Sequence, residues 1–242
     1  MSDSFTIVLI HGHGVDASIW DGIYAGLVSD GTVLRPDFSR IANLTTIEEY
    51  TKNLYDQLQA AGSRKVVLIG HSMGGYMALS FAERHPEMVH GLCLFHSTAY
   101  ADDEKKKVQR QQIINALSLN GSRPFLETAI TNMFAPDNRE GMKATRQELI
   151  DRYSTLPSDA LQSGIRAIMS RPDRTHVLQT APFPVLIVAG RHDQLVSMEK
   201  SRQLADSLPK AQLTVLETSG HLGMIEQPDE ALAILNSFVA RL

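Results

Sequence analysis

The sequence predicts an α/β fold in which a mostly parallel, six-stranded sheet carries helices on both faces. Short, continuous apolar runs rich in β-branched residues recur along the chain, which is typical of strands buried on both sides. Segments with helical spacing lie between these runs, and this alternation favours parallel strands joined by right-handed crossovers. One long helical segment interrupts the alternation, and it predicts an inserted helical cap.

Six apolar runs are the predicted strands. Each is followed at once by glycine or polar residues. Because ligands bind beyond the C-terminal ends of parallel strands, we expect the functional residues in these loops. The runs cover residues 5–10, 32–34, 66–69, 91–95, 185–189 and 213–216.

Helices are predicted between the strands and in the cap. In the core, apolar spacing marks residues 47–58, 73–84 and 231–239. Residues 101–176 contain no strand-like run, so we interpret them as the cap, and residues 1–100 and 177–242 as the core. Breaks at Asn120-Gly121, Pro136-Asp137 and Leu156-Pro157 separate the cap helices. These are predicted at residues 103–119, 124–133, 141–153 and 158–169.

Composition excludes several functional classes. With 242 residues, 43% of them hydrophobic, the chain can bury one substantial core. A net charge of -4 provides no basic field for nucleic acid or a membrane surface. The sequence shows neither a secretory signal nor an apolar stretch of transmembrane length, so we expect a cytoplasmic protein. Cys93, the only cysteine, is expected to be an inert buried thiol. Oligomeric state is not indicated.

The sequence GHSMG at residues 70–74 lies between a predicted strand and a predicted helix. In this context a G-x-S-x-G motif exposes a nucleophilic serine. A serine hydroxyl is a poor nucleophile unless the backbone places it beside a base and at the positive end of a helix. The glycines leave room for a strained backbone and for close strand–helix packing. We therefore predict that Ser72 is a nucleophile; the alternative is a tight structural turn.

A base and an acid for Ser72 follow the last two predicted strands. His221 lies between the last strand and the last helix, where it can take the Ser72 proton and return it to the leaving group. Asp193 follows the preceding strand and can orient the imidazole. Asp102 and Asp103 lie well beyond the end of the fourth strand, so Asp193 is the favoured acid. The predicted triad is Ser72, Asp193 and His221.

Four blocks carry these motifs, in order, along nearly the whole chain. They are LIHG (residues 9–12), GHSMGG (70–75), GRHD (190–193) and GH (220–221), the last followed by Glu226 and Pro228. Together they resemble the α/β hydrolases of the small carboxylesterase, enol-lactonase and C–C hydrolase type. The resemblance implies the α/β-hydrolase fold and a hydrolase that needs no cofactor. It also implies that the backbone N–H groups of His13 and Met73 form the oxyanion hole.

The chain departs from this family in three places. After Pro36-Asp37 the family often has a glycine-rich loop, whereas this chain has FSRI at residues 38–41, so this rim of the pocket is expected to differ. Position 13 is more often apolar or glycine, and the imidazole of His13 can line the acyl pocket. No residues correspond to the two leading strands of the family, so six strands are expected.

Candidate pocket residues follow a strand or lie in the cap. His96 comes just past a strand end, where the alternative role is that of a hydrogen-bonded loop residue. The other candidates are apolar cap residues, for which plain core packing is the alternative. They are Met133, Phe134, Ile165 and Met169. The charged run DDEKKK at residues 102–107 is interpreted as a solvated helix start rather than a binding feature.

A metal site is considered and rejected. His11, His13 and Asp16 form an H-x-H-x-x-D string, and alternating histidines at a strand end point the same way. The metallo-hydrolase string that it resembles needs an acid at position 15 and a histidine after it, but Val15 and Ala17 flank Asp16. We predict no metal, and we expect His11 to brace the oxyanion loop by hydrogen bonding.

The sequence therefore predicts a serine hydrolase that cleaves a small carboxylic ester, thioester or lactone through an acyl-enzyme. Its partner would be a small acyl compound, with neither nucleic acid nor membrane. One alternative is a C–C bond hydrolase of a diketone acid, which would require a cationic carboxylate clamp near Ser72; Arg191 and Arg166 are candidates. The other alternative is a slow-turnover ligand receptor on the same fold. The intact triad favours catalysis.

Overall fold

The computed structural model describes residues 5–27, 31–208 and 210–242. These residues form one six-stranded sheet in the order β2-β1-β3-β4-β5-β6, and all five strand pairings are parallel. The predicted six-stranded parallel sheet is confirmed. The strands are β1 (Thr6–Ile10), β2 (Val33–Leu34), β3 (Val66–His71), β4 (Val89–Phe95), β5 (Val185–Gly190) and β6 (Ala211–Leu216).

Helices cover both faces of the sheet. Alternate residues of each strand point to opposite faces, and in β1 Ile7 and Leu9 enter one apolar cluster while Val8 and Ile10 enter another. Each cluster is closed by helices, so the sheet is buried on both sides. The helices outside the cap region are α1 (Asp21–Tyr24), α2 (Ile47–Ala60), α3 (Met73–Arg84), α9 (Thr175–Gln179), α10 (Met198–Asp206), α11 (Gly223–Glu226) and α12 (Pro228–Val239).

Five helices occupy the chain between residues 104 and 170, and we call them the cap helices. The third predicted helix, at residues 141–153, corresponds to the helix Lys143–Tyr153, and a short helix that was not predicted, Asn138–Gly141, precedes it. The division into core and cap domains at residues 101 and 176 stays a prediction. The cap helices are α4 (Glu104–Asn120), α5 (Ser122–Met133), α6 (Asn138–Gly141), α7 (Lys143–Tyr153) and α8 (Ser158–Ser170).

The strand register brings four loops to one edge of the sheet. His71 at the end of β3 pairs with Phe95 at the end of β4, and Phe95 pairs in turn with Val188 of β5. Gly190 at the end of β5 pairs with Leu216 at the end of β6. The residues that follow these strands therefore leave the sheet side by side. In the described part of the chain, none of the helices is long and apolar enough to cross a membrane.

Candidate active site

Ser72 stands at a strained turn between β3 and α3. Its φ of 52° and ψ of -115° lie in a region that residues with a Cβ rarely adopt, at a cost of about 1–3 kcal/mol. Hydrogen bonds hold the turn on both sides. The Ser72 N–H donates to the Phe95 carbonyl at 3.0 Å, and Ser97 Oγ donates to the Ser72 carbonyl at 2.7 Å. The half-buried side chain of Ser72 lines a large cavity under the cap helices.

The glycines of the motif are required by space. A Cβ on Gly70 would lie 2.4 Å from the Gly74 carbonyl oxygen. A Cβ on Gly74 would lie 2.3 Å from the carbonyl oxygen of Ile10, in the neighbouring strand β1. Because these contacts are with backbone, no side-chain movement relieves them. The start of α3 therefore packs directly on the end of β1, which is where the predicted oxyanion loop begins.

Asp193 and His221 are hydrogen-bonded to each other at the same edge. The distance from His221 Nδ1 to Asp193 Oδ2 is 2.7 Å, and both side chains are almost completely buried. Asp193 Oδ1 accepts two backbone N–H bonds, from Leu195 at 2.8 Å and Val196 at 3.0 Å. His221 Nε2 is buried and has no hydrogen-bond partner among the described residues. That nitrogen is the one required of a general base for Ser72.

His96 packs against the same carboxylate. It is 1% exposed, its φ of 48° is positive, and its Nδ1 lies 3.5 Å from Asp193 Oδ2. The Gly190 N–H donates to that same Nδ1 at 3.1 Å, so the neutral ring carries its proton on Nε2. Burial holds the pKa of His96 below its usual value. His96, predicted as a pocket residue, instead lies behind the Asp193–His221 pair and does not line the large cavity.

Asp193 is held in its charged form by the His221 imidazole. Burial alone would raise its pKa, but the charge and hydrogen bond of His221 hold the pKa of Asp193 well below its usual value. A carboxylate that stays ionised can stabilise an imidazolium.

His71, the central residue between Gly70 and Ser72, touches His221 directly. Its Nε2–H donates to the His221 carbonyl oxygen at 2.9 Å, and the two ring centroids are 4.8 Å apart. Burial and the neighbouring charges of His221 and His96 hold the pKa of His71 well below its usual value. His71 directly precedes Ser72, so these contacts link the loop of the candidate base to the nucleophile turn. The sequence analysis assigned it no role, because the motif leaves this position open.

The backbone donors predicted for the oxyanion hole lie next to each other. Met73 is the first residue of α3, so its N–H has no acceptor within the helix. His13 and Met73 both line a small cavity of about 20 Å³ at the end of β1. The His13 ring donates from Nε2 to the carbonyl of Leu161, which lines the same small cavity, at 2.8 Å. Burial lowers the pKa of His13 to about 4, so the ring is neutral near pH 7.

His11 uses both ring nitrogens within the loop that leads to His13. Nδ1 donates to the Gly12 carbonyl at 2.7 Å, and Nε2 accepts from the Phe38 N–H at 2.8 Å. His11 thus ties β1 to the segment that follows β2. Asp16 caps the next turn by accepting from the Ser18 N–H. The three residues of the H-x-H-x-x-D string are each committed to separate hydrogen bonds.

One other group in the described residues could be considered as a metal site. Ligand atoms of His96, Asp193 and His221 lie within 4.8 Å of one another. However, Nδ1 of His96 already accepts the Gly190 N–H, and Nδ1 of His221 already donates to Asp193. A metal bound through either Nδ1 would have to displace one of these hydrogen bonds. The arrangement therefore fits an orienting carboxylate better than a metal site.

Glu226 joins the His221 loop to the cap helices. Its Oε1 accepts the Gly220 N–H at 2.8 Å, and its Oε2 accepts the Ala135 N–H at 2.8 Å. The His221 N–H donates to the Met133 carbonyl at 2.6 Å, again between this loop and the end of α5. Gly220 permits this approach, since a Cβ there would lie 2.4 Å from the Ala135 nitrogen. The sequence analysis quoted Glu226 as part of a motif without assigning it a function.

The large cavity has a volume of about 530 Å³ and lies between Ser72, the cap helices and α10. Two of the predicted pocket residues, Met133 and Ile165, line it. Phe134 and Met169 do not. Phe134 follows the last residue of α5 and is fully buried in the core, while Met169 lies one position beyond Ile168, which does line the cavity. A shift of one helical position rotates a side chain by about 100°.

The cavity wall is cationic, although the two arginines proposed as a clamp do not form it. Arg191 pairs with Glu217 at the surface, and Arg166 bonds the side chain of Gln162. The wall contains four other cations: Lys106, Arg110, Arg171 and Lys200.

The run at residues 102–107 is only partly solvated. Asp103 caps α4 by accepting the Lys106 N–H. Asp102, by contrast, is 5% exposed and pairs with Arg110 and Arg171, and Lys106 is half-buried in the cavity wall. The Asp102 carboxylate is thus paired with these arginines and not with His221. The interpretation of the whole run as a solvated helix start is wrong for these two residues, because the helix lies against the cavity.

Comparisons with known proteins identify the family. The model of the Alpha/beta hydrolase family matches residues 7–234. The pimeloyl-[acyl-carrier protein] methyl ester esterase of Aeromonas hydrophila is 27% identical, over 96% of this chain and 94% of that protein. Pyrrolizixenacetamide deacetylase of Xenorhabdus hominickii is 26% identical, over 96% and 90%.

Solved structures share the fold. A thermophilic esterase from Thermogutta terrifontis superposes with a TM-score of 0.92 at 23% identity, covering 98% of this chain and 90% of that one. The enol-lactonase from Burkholderia xenovorans superposes with a TM-score of 0.89 at 22% identity, covering 99% and 92%.

Proposed function

The chain belongs to the alpha/beta hydrolase family, and from that premise we propose that it is a serine hydrolase that cleaves a small carboxylic ester, thioester or lactone. The observation that carries the proposal is the 2.7 Å hydrogen bond between Asp193 and His221, beside the strained turn at Ser72. Two relatives whose names describe hydrolysis of an ester and removal of an acetyl group support carbonyl chemistry of this kind.

The first half of the proposed reaction forms an acyl-enzyme. Ser72 Oγ attacks the carbonyl carbon while its proton passes to His221 Nε2, the free nitrogen of the ring. Asp193 stabilises the resulting imidazolium, and His221 then gives the proton to the leaving alcohol. In the second half a water molecule loses a proton to His221 and attacks the acyl-enzyme; the bond to Ser72 Oγ then breaks, the acid leaves, and His221 returns the proton to Ser72 Oγ.

The oxyanion formed in both halves needs hydrogen-bond donors that are in place beforehand. His13 and Met73 line the same small cavity, and their backbone N–H groups would supply these donors. Each such donor contributes about 3 kcal/mol in other hydrolases. The hydrogen bonds of His11 to Gly12 and Phe38 would keep the first donor in position. No step in this scheme requires a cofactor.

Cleavage of a C–C bond in a diketone acid is the second candidate. It uses the same triad and is favoured by one observation, namely the four cations in the cavity wall, which could hold a carboxylate. Activity on simple esters would favour ester hydrolysis. Cleavage of a diketone acid in preference to any ester would favour C–C bond hydrolysis.

The test is hydrolysis of p-nitrophenyl esters from acetate to decanoate by the wild type and by Ser72→Ala. We expect turnover by the wild type and a decrease on the order of 10⁵-fold in Ser72→Ala. Labelling by a fluorophosphonate, which requires only an activated serine, should occur in the wild type and be absent in the variant. Ser80→Ala is the matched control, since it removes a buried serine hydroxyl of α3 that has no hydrogen-bond partner among the described residues. Equal activity in Ser72→Ala and the wild type would refute the mechanism.

A further inference from the structure

Four cationic side chains line the cavity that contains Ser72, and we refer to Lys106, Arg110, Arg171 and Lys200 as the cationic wall. Of the residues that the structure describes, no aspartate or glutamate lines this cavity. The protein as a whole has a net charge of -4, so this excess of positive charge is local. Clefts lined by one sign of charge concentrate ligands of the opposite sign.

The two arginines share a single carboxylate. The Asp102 side chain is fully buried and accepts from Arg110 and from Arg171, the latter at 2.9 Å. Two guanidinium groups and one carboxylate leave one positive charge uncompensated. Arg171 is also incompletely bonded, because its Nε is buried and has no partner among the described residues, although the side chain is only 4% exposed. A buried N–H without an acceptor is costly unless a ligand supplies one.

The two lysines make no direct ion pair in the described part of the chain, although the charge of Asp102, which the two arginines already share, favours the charged form of Lys106. Lys106 comes from the first turn of α4 and Lys200 from the first turn of α10, and both are half-buried. Within residues 5–27, 31–208 and 210–242, neither ammonium group makes a hydrogen bond or an ion pair. Burial, and next the charge of Lys200, lower the pKa of Lys106. Two separate elements therefore bring like charges together, which is unfavourable until an anion lies near them.

The cationic wall is continuous with the nucleophile. The Arg171 guanidinium stacks on the ring of Tyr76, 4.1 Å from its centroid. Tyr76 lies one turn after Ser72 on α3, and both residues line the cavity. The rest of the lining includes apolar side chains such as Ile113 and Phe125. A molecule with an apolar body and one anionic group would match this combination.

We propose that the cationic wall is a binding subsite for a carboxylate group of the substrate. The preferred substrate would then carry a free carboxylate in addition to the bond that Ser72 attacks. Lys106 and Lys200 would contact the carboxylate as point charges, and Arg171 would contribute its unpaired Nε–H. This inference deepens the proposed function and rests on it for the position of the scissile bond.

The test compares charged and neutral substrates of equal chain length. Monomethyl esters of dicarboxylic acids, from succinate to suberate, are paired with methyl esters of the corresponding monocarboxylic acids. At the best chain length we expect kcat/KM to be about tenfold or more higher for the charged member, mainly through KM. Raising the ionic strength from about 0.05 to 0.5 M should reduce this preference. Acetate esters of ω-hydroxy acids and of plain alcohols form a second pair, with the carboxylate on the alcohol side.

Substitutions in the cationic wall test whether it causes the preference for charged substrates. In the double variant Lys106→Met, Lys200→Met, the ratio of charged to neutral kcat/KM should fall to about one, since methionine keeps the stem and removes the charge. Lys106→Glu should bring the ratio below one. Lys105→Met, an exposed position on the same turn of α4, is the control and should leave the ratio unchanged. A ratio near one in the wild type for both substrate pairs, or a ratio that the double variant retains, would overturn the subsite.

Binding separates the failure of the subsite from the failure of the proposed function. Calorimetry on Ser72→Ala measures the affinity for the half-esters and for their neutral partners without turnover. If the half-ester binds more tightly but no ester is hydrolysed and Ser72 is not labelled, the subsite stands and the serine hydrolase proposal fails. If neutral esters are hydrolysed and neither binding nor rate favours the charged compounds, the serine hydrolase proposal stands and the subsite fails.

Discussion

The sheet edge around His221 and the cationic wall of the cavity differ in whether their charged groups have partners within the protein. At the sheet edge, Asp193 has partners on both oxygens, and His221 is fixed through both Nδ1 and its backbone. In the wall, the ammonium groups of Lys106 and Lys200 have no partners in the described residues. In the first region the candidate acid and base are fixed in position before a substrate arrives, whereas the second region requires an anion. The comparison separates positioning for chemistry from recognition of the substrate.

The largest effect on activity should come from a substitution at the sheet edge around His221. Asp193→Asn replaces the acceptor for His221 Nδ1–H with an amide of the same shape, so the ring loses its orientation and its stabilised charged form. We expect kcat to fall about 10⁴-fold, with KM little changed. Steady-state kinetics on a p-nitrophenyl ester measure this. Asp102→Asn is the matched control, because Asp102 is equally buried but bonds to Arg110 and Arg171. A larger loss of kcat in Asp102→Asn would contradict the assignment of the acid.

Acid should destabilise the sheet edge while leaving the wall charged. The pKa of His71 lies well below its usual value, and that of His13 is about 4. Below about pH 6.5 the unfolded chain therefore binds protons that the native protein does not, and stability falls as pH falls. At pH 5 the loss is up to about 2 kcal/mol for each histidine. Asp193, with a lowered pKa, loses its contribution only below about pH 4, outside this range.

Urea unfolding near pH 7 and near pH 5 measures this difference in the free energy of unfolding. His71→Asn removes one of the titrating groups and should reduce the difference. His192→Asn, at an exposed histidine close to Asp193 in sequence, should leave the difference as it is in the wild type. A free energy of unfolding that is independent of pH over this range would show that the buried imidazoles are not held neutral.

Glu226 joins the sheet edge to the end of α5, and its loss should affect both stability and activity. Glu226→Ala leaves the N–H groups of Gly220 and Ala135 without their acceptor, at a cost of about 1–3 kcal/mol in stability. The loop of His221 and the end of α5 would then separate, so kcat should also fall. Thermal unfolding and kcat are measured together. Glu230→Ala, at an exposed position on α12, is the control. A variant as stable and active as the wild type would show that this junction is dispensable.

The sheet edge could be predicted from the sequence because a parallel sheet brings the ends of its strands together. Ser72, Asp193 and His221 each follow a strand, so topology alone places them at one edge. The contacts of His71 and His96 could not be predicted, since they depend on which way a loop side chain turns; the positive φ of His96 directs it to Asp193.

The cap is harder to predict because its helices have apolar residues on more than one side. Spacing predicts that α8 is amphipathic, but it does not tell which apolar residues face the cavity and which face the core. Ile165 and Met169 are four residues apart and were equal candidates, yet only Ile165 lines the cavity. Lys106 is another case, since a charged run at a helix start usually faces solvent.

The smallest effect is expected from replacing Ile165, which lines the cavity, and the comparison with Met169 tests which residues of α8 face the cavity. Ile165→Ala should enlarge the cavity, shift the preferred acyl chain towards longer esters, and change kcat/KM for the best wild-type substrate by about tenfold or less. Met169→Ala removes a side chain of similar size that does not line the cavity, so the chain-length optimum should stay where it is. Hydrolysis of p-nitrophenyl esters from acetate to decanoate by the two variants provides both measurements. If Met169→Ala shifted the optimum and Ile165→Ala did not, α8 would be rotated so that Met169 instead of Ile165 faces the substrate, and Arg171, which follows this helix, would not be positioned to meet a carboxylate.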